Sequence, residues 1–194
     1  MVLETHILDL IEGRKSSPVA KALLGAMSQC YRAGVSLRHF AYDWIIPIAQ
    51  LQIPVISVGN IVAGGSGKTP FVEYLAKALA PKKVAILSRG YRRKSRKTVV
   101  VKEWTSPEEC GDEPYLLAQK VPEATVIVDA DRAFAGLLAQ ILDADLVLLD
   151  DGMQHRKLNR DIEIAVMHAD DLFGQDHFLP RVLLLDSPKS LNKP

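Results

Sequence analysis

Apolar and polar positions change their spacing part-way along the chain. After Ser17, a candidate N-cap, and Pro18, apolar residues recur at helical spacing, which predicts an amphipathic N-terminal helix. From residue 54 onward, short runs rich in Val, Ile and Leu alternate with stretches of helical spacing. The predicted strands are 55–58, 84–87, 98–101, 125–128, 146–149 and 162–167, and the predicted helices are 69–80, 113–120 and 132–142.

This alternation predicts an α/β fold, because strands that are apolar throughout must be covered on both faces. We expect a mostly parallel sheet with helices on both faces, preceded by N-terminal helices. The change of pattern also predicts two parts of the chain. They are an N-terminal helical segment at 1–52 and an α/β domain at 53–194.

Two interpretations of the N-terminal segment remain open. Its helix packs against the α/β domain, as most amphipathic helices do, or it lies on a membrane surface. Basic residues such as Arg32 and Arg38, with Tyr42 and Trp44 nearby, are typical of interfacial helices. A spanning helix is not expected in the uncharged run 44–67, because prolines and glycines interrupt it.

The composition is that of an ordinary folded chain: 194 residues, 48% hydrophobic, with 24 Lys+Arg against 23 Asp+Glu and a net charge of +1. This balance argues against a nucleic-acid partner, which usually requires a basic excess. Cys30 and Cys110 form no disulfide or metal-binding pattern, and the N-terminus lacks the features of a secretory signal. We therefore expect a cytoplasmic protein in which any phosphate chemistry comes from a local site.

A glycine-rich segment, 59–70, lies between the first predicted strand and a helix. Glycines in such a segment let backbone N–H groups surround phosphate oxygens, and the helix N-terminus adds positive potential. Lys68 would reach the outer phosphates and Thr69 would ligate magnesium. The strict phosphate-loop pattern has a glycine where this chain has Val62. The alternative interpretation is a flexible turn with a solvated lysine.

Two adjacent acids end the predicted strand 146–149. Asp150 and Asp151 precede Gly152, and in this fold class an acid at the carboxyl end of a neighbouring strand faces the phosphate loop. Such an acid holds the metal directly or through water. An Asp-Gly turn that only closes the strand is the alternative.

Three further features are candidates for polar chemistry. Asp112, just before a predicted helix, either caps that helix or, like Glu113, accepts a proton from a substrate hydroxyl. His155 follows the acid pair at the expected mouth of the site, a placement that favours a polar role there. The basic run 92–97 is either a solvated loop or a contact for an anionic partner.

Taken together, these motifs resemble the tetraacyldisaccharide 4'-kinase family, the lipid A 4'-kinases. Five blocks match in the same order: 59–60 with 64–70, then 88–91, 111–114, 150–155 and 160–161. The resemblance covers nearly the whole chain and implies a P-loop NTPase-like domain. It implies that ATP and Mg²⁺ are used to phosphorylate the 4'-hydroxyl of a lipid A disaccharide precursor. It also implies a peripheral location on the cytoplasmic face of the bacterial inner membrane.

The resemblance also implies roles for individual residues. Asp112 would be the base for the sugar hydroxyl, and Lys68 and His155 would complete the catalytic set. Magnesium would be held by Thr69, Asp150 and Asp151. The region 89–97 would meet substrate phosphate or lipid headgroups. The implied ATP-binding residues are Val62, Ala63, Gly64, Gly65, Ser66, Gly67, Lys68 and Thr69.

This chain departs from the family pattern in two respects. The family has a smaller C-terminal domain, which supplies a histidine that pairs with the catalytic aspartate, whereas this chain stops at Pro194. A Gly and an Arg that are usual near this point are replaced in a segment that contains Leu179, Pro180, Val182, Leu185, Asp186 and Pro188. We therefore expect the 194 residues to bind nucleotide but to be weak or inactive as a kinase.

Two other functions remain as alternatives. The first is a P-loop regulatory ATPase, although the deviant-loop members of that class carry a lysine where this chain has Ala63. The second is a membrane-docked module that binds nucleotide without catalysis.

Overall fold

The computed structural model describes residues 18–62, 67–167, 169 and 184–185. The chain divides into two compact units, a helical unit (1–46, 61–66 and 167–194) and a sheet unit (47–60 and 67–166). The predicted boundary at residue 52 stays a prediction, and the predicted N-cap, Ser17, lies outside the described residues.

The sheet unit contains one sheet of six strands in the order β3-β4-β2-β5-β1-β6. The strands are β1 Val55–Gly59, β2 Val84–Ser88, β3 Val99–Val100, β4 Thr125–Val128, β5 Leu146–Asp150 and β6 Ile162–Ala165. All strand pairs are parallel except β3 with β4, which is antiparallel. The mostly parallel α/β fold is therefore confirmed. The predicted strand 98–101 is shorter than expected, and its antiparallel edge position is common in otherwise parallel sheets.

Five helices accompany these strands among the described residues. They are α1 Pro18–Trp44, α2 Lys68–Ala78, α3 Pro107–Cys110, α4 Asp112–Lys120 and α5 Arg132–Ile141. The short helix α3 was not predicted. Its signal is nevertheless present in the sequence, because Ser106 and Glu109 form a capping box in which each side chain accepts a backbone N–H of the other residue.

Helices cover both faces of the sheet. Val72 and Ala76 of α2 and Leu117 of α4 pack on one face, in a core that includes Leu148. Ala135 and Ala139 of α5 pack on the other face, in a core that includes Leu149. Leu148 and Leu149 reach opposite cores because successive side chains of a strand point to opposite faces. This is why the strand is apolar at every position except its end, where Asp150 stands.

In the helical unit, the structure describes α1 and, among other residues, the pairs 61–62 and 184–185. Val62 forms an isolated antiparallel bridge with Leu184, the backbone N–H of Leu185 donates to the carbonyl of Ile61 at 2.7 Å, and the Tyr31 hydroxyl donates to the carbonyl of Leu185 at 3.2 Å. Leu185 belongs to the segment that departs from the family pattern, and it is the one residue named there that the structure describes. The other positions named there, Leu179, Pro180, Val182, Asp186 and Pro188, lie outside the described residues.

The face of α1 opposite its buried residues is apolar and exposed. Ser28 and Val35, seven positions apart, are buried on one side. Helical geometry places a second set of apolar side chains together on the other side. These exposed residues are Val19, Leu23, Met27, Leu37, Phe40 and Trp44. Within the described part of the chain, no helix has the combination of length and hydropathy needed to cross a membrane.

Replacement of Leu148 by Ala should destabilise the protein strongly. Leu148 is fully buried in the central strand β5, so that its truncation leaves a cavity and lowers the free energy of unfolding by about 2–5 kcal/mol. Denaturant unfolding followed by circular dichroism measures the change. Leu116→Ala is the matched control, because Leu116 is 45% exposed and should lose less than about 1 kcal/mol. Similar losses in the two variants would contradict this account of the core.

Candidate functional site

The carboxyl ends of β1 and β5 lie side by side. Val58 is opposite Asp150 in the parallel register, and the backbone N–H of Gly152 donates to the carbonyl of Val58 at 3.1 Å. Asn60, which follows β1, and Asp151, which follows β5, therefore emerge at the same edge of the sheet. Polar groups at the carboxyl edge of a parallel sheet mark the usual place of a ligand site.

Lys68 joins these two strand ends. Its Nζ donates to Oδ1 of Asn60 at 3.1 Å and lies 3.8 Å from Oδ1 of Asp151. Lys68 is the first residue of α2, and Gly67 before it has φ 80°, a conformation that glycine adopts readily. Gly67 has no side chain to cap the helix, which suits a ligand that accepts from the backbone N–H groups of Lys68 and Thr69.

Only part of the predicted ATP-binding segment is described. Gly67, Lys68 and the half-buried Thr69 form the start of α2, whereas Val62 takes part in its bridge with Leu184. The remaining predicted binding residues, Ala63, Gly64, Gly65 and Ser66, lie outside the described residues. Their contact with nucleotide stays a prediction.

Asp150 is a buried acid in crowded surroundings. Only 4% of its surface is exposed. Burial, followed by the nearby negative charges of Glu113 and Asp151, raises the pKa of Asp150 to about 6, although Lys68 and Arg132 act in the opposite direction. Asp151 is exposed and has φ 55°, a left-handed conformation that is uncommon for a residue with a side chain. The pair thus combines a buried and an exposed carboxylate.

This acid pair fits magnesium. Among the described residues, no group of three or more His, Cys, Asp and Glu side chains forms a metal-binding cluster. Mg²⁺ needs no such cluster, because it keeps several waters and usually takes one or two carboxylates together with substrate phosphates. Asp150 and Asp151 provide two carboxylates, and their mutual repulsion favours a bound cation.

Arg132 is a component of the site that the sequence analysis missed. It is 6% exposed, and its Nη1 donates to the carbonyl of Ala130 at 3.1 Å. Burial and the nearby charge of Arg89 lower its pKa, whereas Asp151 and Asp150 raise it. Its Nε has no hydrogen-bond partner within the part of the chain that the structure describes. The position of Arg132 in the chain could have indicated this role, because it begins α5 shortly after the carboxyl end of β4.

His155 is half-buried close to Arg132. Burial and the positive charge of Arg132 lower the pKa of His155 to about 4, so its imidazole is neutral at neutral pH. Its backbone N–H donates to the carbonyl of Gly152 at 2.9 Å, which joins it to the turn that carries the acid pair. No partner of its Nε2 is found among residues 18–62, 67–167, 169 and 184–185. The structure thus presents His155 as an uncharged hydrogen-bonding group.

The start of α4 brings Glu113 near enough to Asp150 for its charge to act on that carboxyl. Asp112 is the exposed first residue of α4, and its charge contributes to the raised pKa of Cys110, for which burial is the main cause. Glu113 is the residue whose charge raises the pKa of Asp150. The role of Asp112 as a base therefore stays a prediction, and Glu113, the other residue considered there, is the one linked to the acid pair.

Part of the basic run 92–97 has structural roles. Nη1 of Arg93 donates to the carbonyls of Lys97 and Val128 at 2.8 and 3.1 Å, which ties the loop to β4. Lys94 pairs with Glu108 at 2.6 Å. The guanidinium of Arg92 lies 5.2 Å from the ring centroid of Tyr91. The run is thus partly the solvated, self-paired loop of the first interpretation.

Comparison with known proteins identifies a matching family. A model of the family "Tetraacyldisaccharide-1-P 4'-kinase" matches residues 20–193. The chain belongs to this family. A tetraacyldisaccharide 4'-kinase from Aquifex aeolicus is 45% identical over 86% of this chain and 54% of its own length. A tetraacyldisaccharide 4'-kinase from Porphyromonas gingivalis is 39% identical over 91% of this chain and 51% of its own.

A solved structure of a family member has the same fold. The crystal structure of LpxK from Aquifex aeolicus in complex with ATP superimposes with a TM-score of 0.82 at 44% identity, and covers 89% of this chain and 56% of that one. The chain spans about half the length of the curated relatives that it matches. These matches confirm the family resemblance that the five sequence blocks indicated.

Replacement of Asp150 by Asn should stabilise the protein at neutral pH. The folded state holds a proton on Asp150 more tightly than the unfolded state does. Consequently the stability of the parent relative to the variant falls as the pH rises from 3.8 to about 6, and stays low above that range. We expect a gain of at most about 3 kcal/mol for the variant at neutral pH. Denaturant unfolding of both proteins across this pH range measures it.

Because His155 is present in both proteins, its contribution to stability cancels when parent and variant are compared at the same pH. The pKa of His155 is lowered from 6.5 to about 4, so its contribution to stability falls as the pH falls through that window, the opposite direction to Asp150. An Asp150→Asn variant that is no more stable than its parent at neutral pH would contradict the raised pKa of Asp150 in the folded protein.

Proposed function

We propose that the chain provides the nucleotide-binding part of an ATP-dependent kinase that phosphorylates the 4'-hydroxyl of a tetraacyldisaccharide 1-phosphate, a lipid A precursor. The observation that carries this proposal is the position of Lys68, at the start of α2 between Asn60 and Asp151. A lysine at a helix N-terminus beside paired acids is suited to bind phosphates together with a divalent cation. Membership of the kinase family and the relative crystallised with ATP support ATP as the donor.

Each group at the carboxyl edge has a part in phosphate transfer. Lys68 and the first N–H groups of α2 would bind the outer phosphates of ATP. Asp150, Asp151 and the hydroxyl of Thr69 would hold Mg²⁺, which supplies positive charge to the phosphate oxygens when it is bound. The reaction needs little covalent chemistry from the protein, because its main requirements are fixed positions and electrostatic stabilisation.

The acceptor hydroxyl must lose a proton to a nearby group. We assign this role to the start of α4, where Asp112 and Glu113 are both exposed and Glu113 acts on the acid pair. His155 would assist as a neutral donor or acceptor of hydrogen bonds, since its lowered pKa keeps it uncharged. Exposure of both carboxylates leaves them accessible to the sugar hydroxyl of the acceptor.

Replacement of Lys68 by Ala should abolish tight binding of ATP in the presence of Mg²⁺. The variant loses the cation that neutralises the outer phosphates, and we expect an affinity at least about a hundredfold lower. Isothermal titration calorimetry on the 194-residue chain measures the change. Lys77→Ala is the control, because Lys77 lies on the same helix but pairs with Glu73 at 2.8 Å. Equal affinities of the two variants would contradict the assignment of Lys68.

The same preparations test phosphate transfer. Incubation with labelled ATP and a tetraacyldisaccharide 1-phosphate shows whether these 194 residues transfer phosphate. The expectation of weak or absent transfer stays a prediction. Efficient transfer that Lys68→Ala abolishes would overturn that expectation and would support the kinase assignment. Failure of the parent chain to bind ATP with Mg²⁺ would overturn the nucleotide-binding proposal itself.

We also propose that α1 attaches the protein to the inner-membrane surface, on its cytoplasmic face. Support comes from the exposed apolar face of α1, which runs from Val19 to Trp44 and is opposite the buried Ser28 and Val35. Trp44, 78% exposed at the end of the helix, is a residue that favours the level of lipid headgroups. An amphipathic acceptor lipid would be presented at the same surface. The absence of a nucleic-acid partner stays a prediction.

Replacement of Phe40 and Trp44 together by Ser should reduce vesicle binding. Burial of each aromatic side chain in the interface would contribute about 1.5–3 kcal/mol to binding, so we expect at least about a tenfold loss of vesicle binding. Flotation of the full chain with phosphatidylethanolamine and phosphatidylglycerol vesicles measures it. The control is Phe134→Ser with Ile141→Ser, since both residues are exposed on α5. Equal flotation of parent and α1 variant would exclude this attachment.

A further inference from the structure

The turn that carries the acid pair lies against β1 without intervening side chains. A Cβ atom placed on Gly59 would lie 2.5 Å from Cβ of Met153, 3.0 Å from its N and 3.3 Å from its Cα. A Cβ atom placed on Gly152 would lie 2.6 Å from Oγ of Ser57. At Gly59 the neighbouring atoms are backbone and Cβ atoms, which cannot rotate away. A side chain at this position would therefore displace the turn.

Backbone conformation does not explain why residue 59 is glycine. Among the described residues, the glycines with positive φ are Gly67, Gly90 and Gly111. Gly59 is instead the last residue of β1, paired in parallel with Ala165 of β6, where residues with side chains are normally accommodated. The close approach of Met153 is thus the feature of the structure that requires glycine here.

Both residues of this contact, Gly59 and Met153, are close in sequence to residues of the site. On one side, Gly59 precedes Asn60, whose Oδ1 accepts the hydrogen bond from Lys68. On the other side, Met153 follows Asp150 and Asp151 by only a few residues, and the N–H of Gly152 is bonded to the carbonyl of Val58. The contact between Gly59 and Met153 thus lies between the segment that carries the partner of Lys68 and the turn that carries Asp151, and Nζ of Lys68 is 3.8 Å from Oδ1 of Asp151.

We propose that Gly59 is a positioning residue for the magnesium–nucleotide complex. Its lack of a side chain sets the separation between Lys68, which binds phosphate, and Asp151, which holds the cation. This inference rests on the proposed function of the site. Functional groups must be held within about half an ångström of their productive positions, so a shift imposed by one added methyl group is sufficient to weaken binding.

The test is the variant Gly59→Ala, with Gly136→Ala as the matched control. A Cβ atom on Gly136 would lie 2.7 Å from Cδ1 of Leu51, so both variants add a methyl group to a tightly packed position. Gly136 lies on α5 and faces Leu51, a residue of the core that includes Leu149, and the atoms nearest to the added Cβ belong to Leu51 rather than to a residue of the proposed site. Loss of stability by overpacking is expected in both variants. Loss of magnesium-dependent ATP affinity is expected in Gly59→Ala alone.

We expect Gly59→Ala to lower the affinity for ATP with Mg²⁺ by about tenfold or more, whereas affinity measured in EDTA changes less than about threefold. Gly136→Ala should stay within about twofold in both conditions. Calorimetric titration of the full chain measures these affinities. A Gly59→Ala protein that binds ATP with Mg²⁺ as the parent does would overturn the proposal, as would an equal loss in EDTA.

A second pair of variants tests the contact itself. Met153→Gly removes the Cβ atom that faces Gly59, whereas Met153→Ala keeps it, and both remove the rest of the side chain. In the Gly59→Ala background, Met153→Gly should restore part of the magnesium-dependent affinity, and Met153→Ala should restore none. Rescue would be partial, because N of Met153 would still lie 3.0 Å from the added Cβ. Equal behaviour of the two double variants would contradict the proposal.

Failure of the proposed function would be recognised separately, because the parent itself would then fail to bind ATP with Mg²⁺. Crystal structures of parent and Gly59→Ala without nucleotide test the positioning role in either case. The separation of Nζ of Lys68 from Oδ1 of Asp151 should exceed its parent value of 3.8 Å in the variant. An unchanged separation would overturn the inference even if the nucleotide site is confirmed.

Discussion

The parallel pairing of β1 with β5 is the constraint on which the rest of the site depends. The register that places Val58 opposite Asp150 brings the end of one strand beside the end of the other, although more than ninety positions separate them in the chain. Asn60 and Lys68 follow from the first strand, and the acid pair follows from the second. A slip of one residue in this register would point Asp150 to the opposite face of the sheet.

Close contact between backbones gives this arrangement its dimensions. Gly59 and Gly152 allow the turn after β5 to lie directly on β1, and the hydrogen bond from Gly152 to Val58 continues the ladder beyond the last paired residues. Side chains alone would hold Lys68 and Asp151 less accurately, since both are long or exposed and change rotamer readily. Glycine is therefore required at these positions for different reasons. Gly67 turns the chain into α2, whereas Gly59 makes room for a neighbour.

Much of the fold could be predicted from the sequence, because strands buried on both faces appear as continuous runs of Val, Ile and Leu. The central strands agree with the predicted ranges to within one residue, and Asp150 and Asp151 stand where the end of β5 was expected. The short β3 and α3 were poorly predicted, since a two-residue strand carries little periodicity and α3 depends on the capping box of Ser106 and Glu109. Arg132 was missed because its burial beside the acid pair follows from strand order, which spacing along the chain does not reveal. For the same reason, spacing along the chain could not show that the charge of Glu113 acts on Asp150.

The raised pKa of Asp150 bears on the stability of the folded protein when no cation is bound. Burial and the charges of Glu113 and Asp151 disfavour the ionised form of Asp150, and a cation bound as proposed would relieve part of this repulsion. Occupancy and folding would then be coupled, because a ligand that binds only the folded state makes it more resistant to unfolding and proteolysis. The concentration of the ligand in the cell would thus set the lifetime of the protein as well as its working rate.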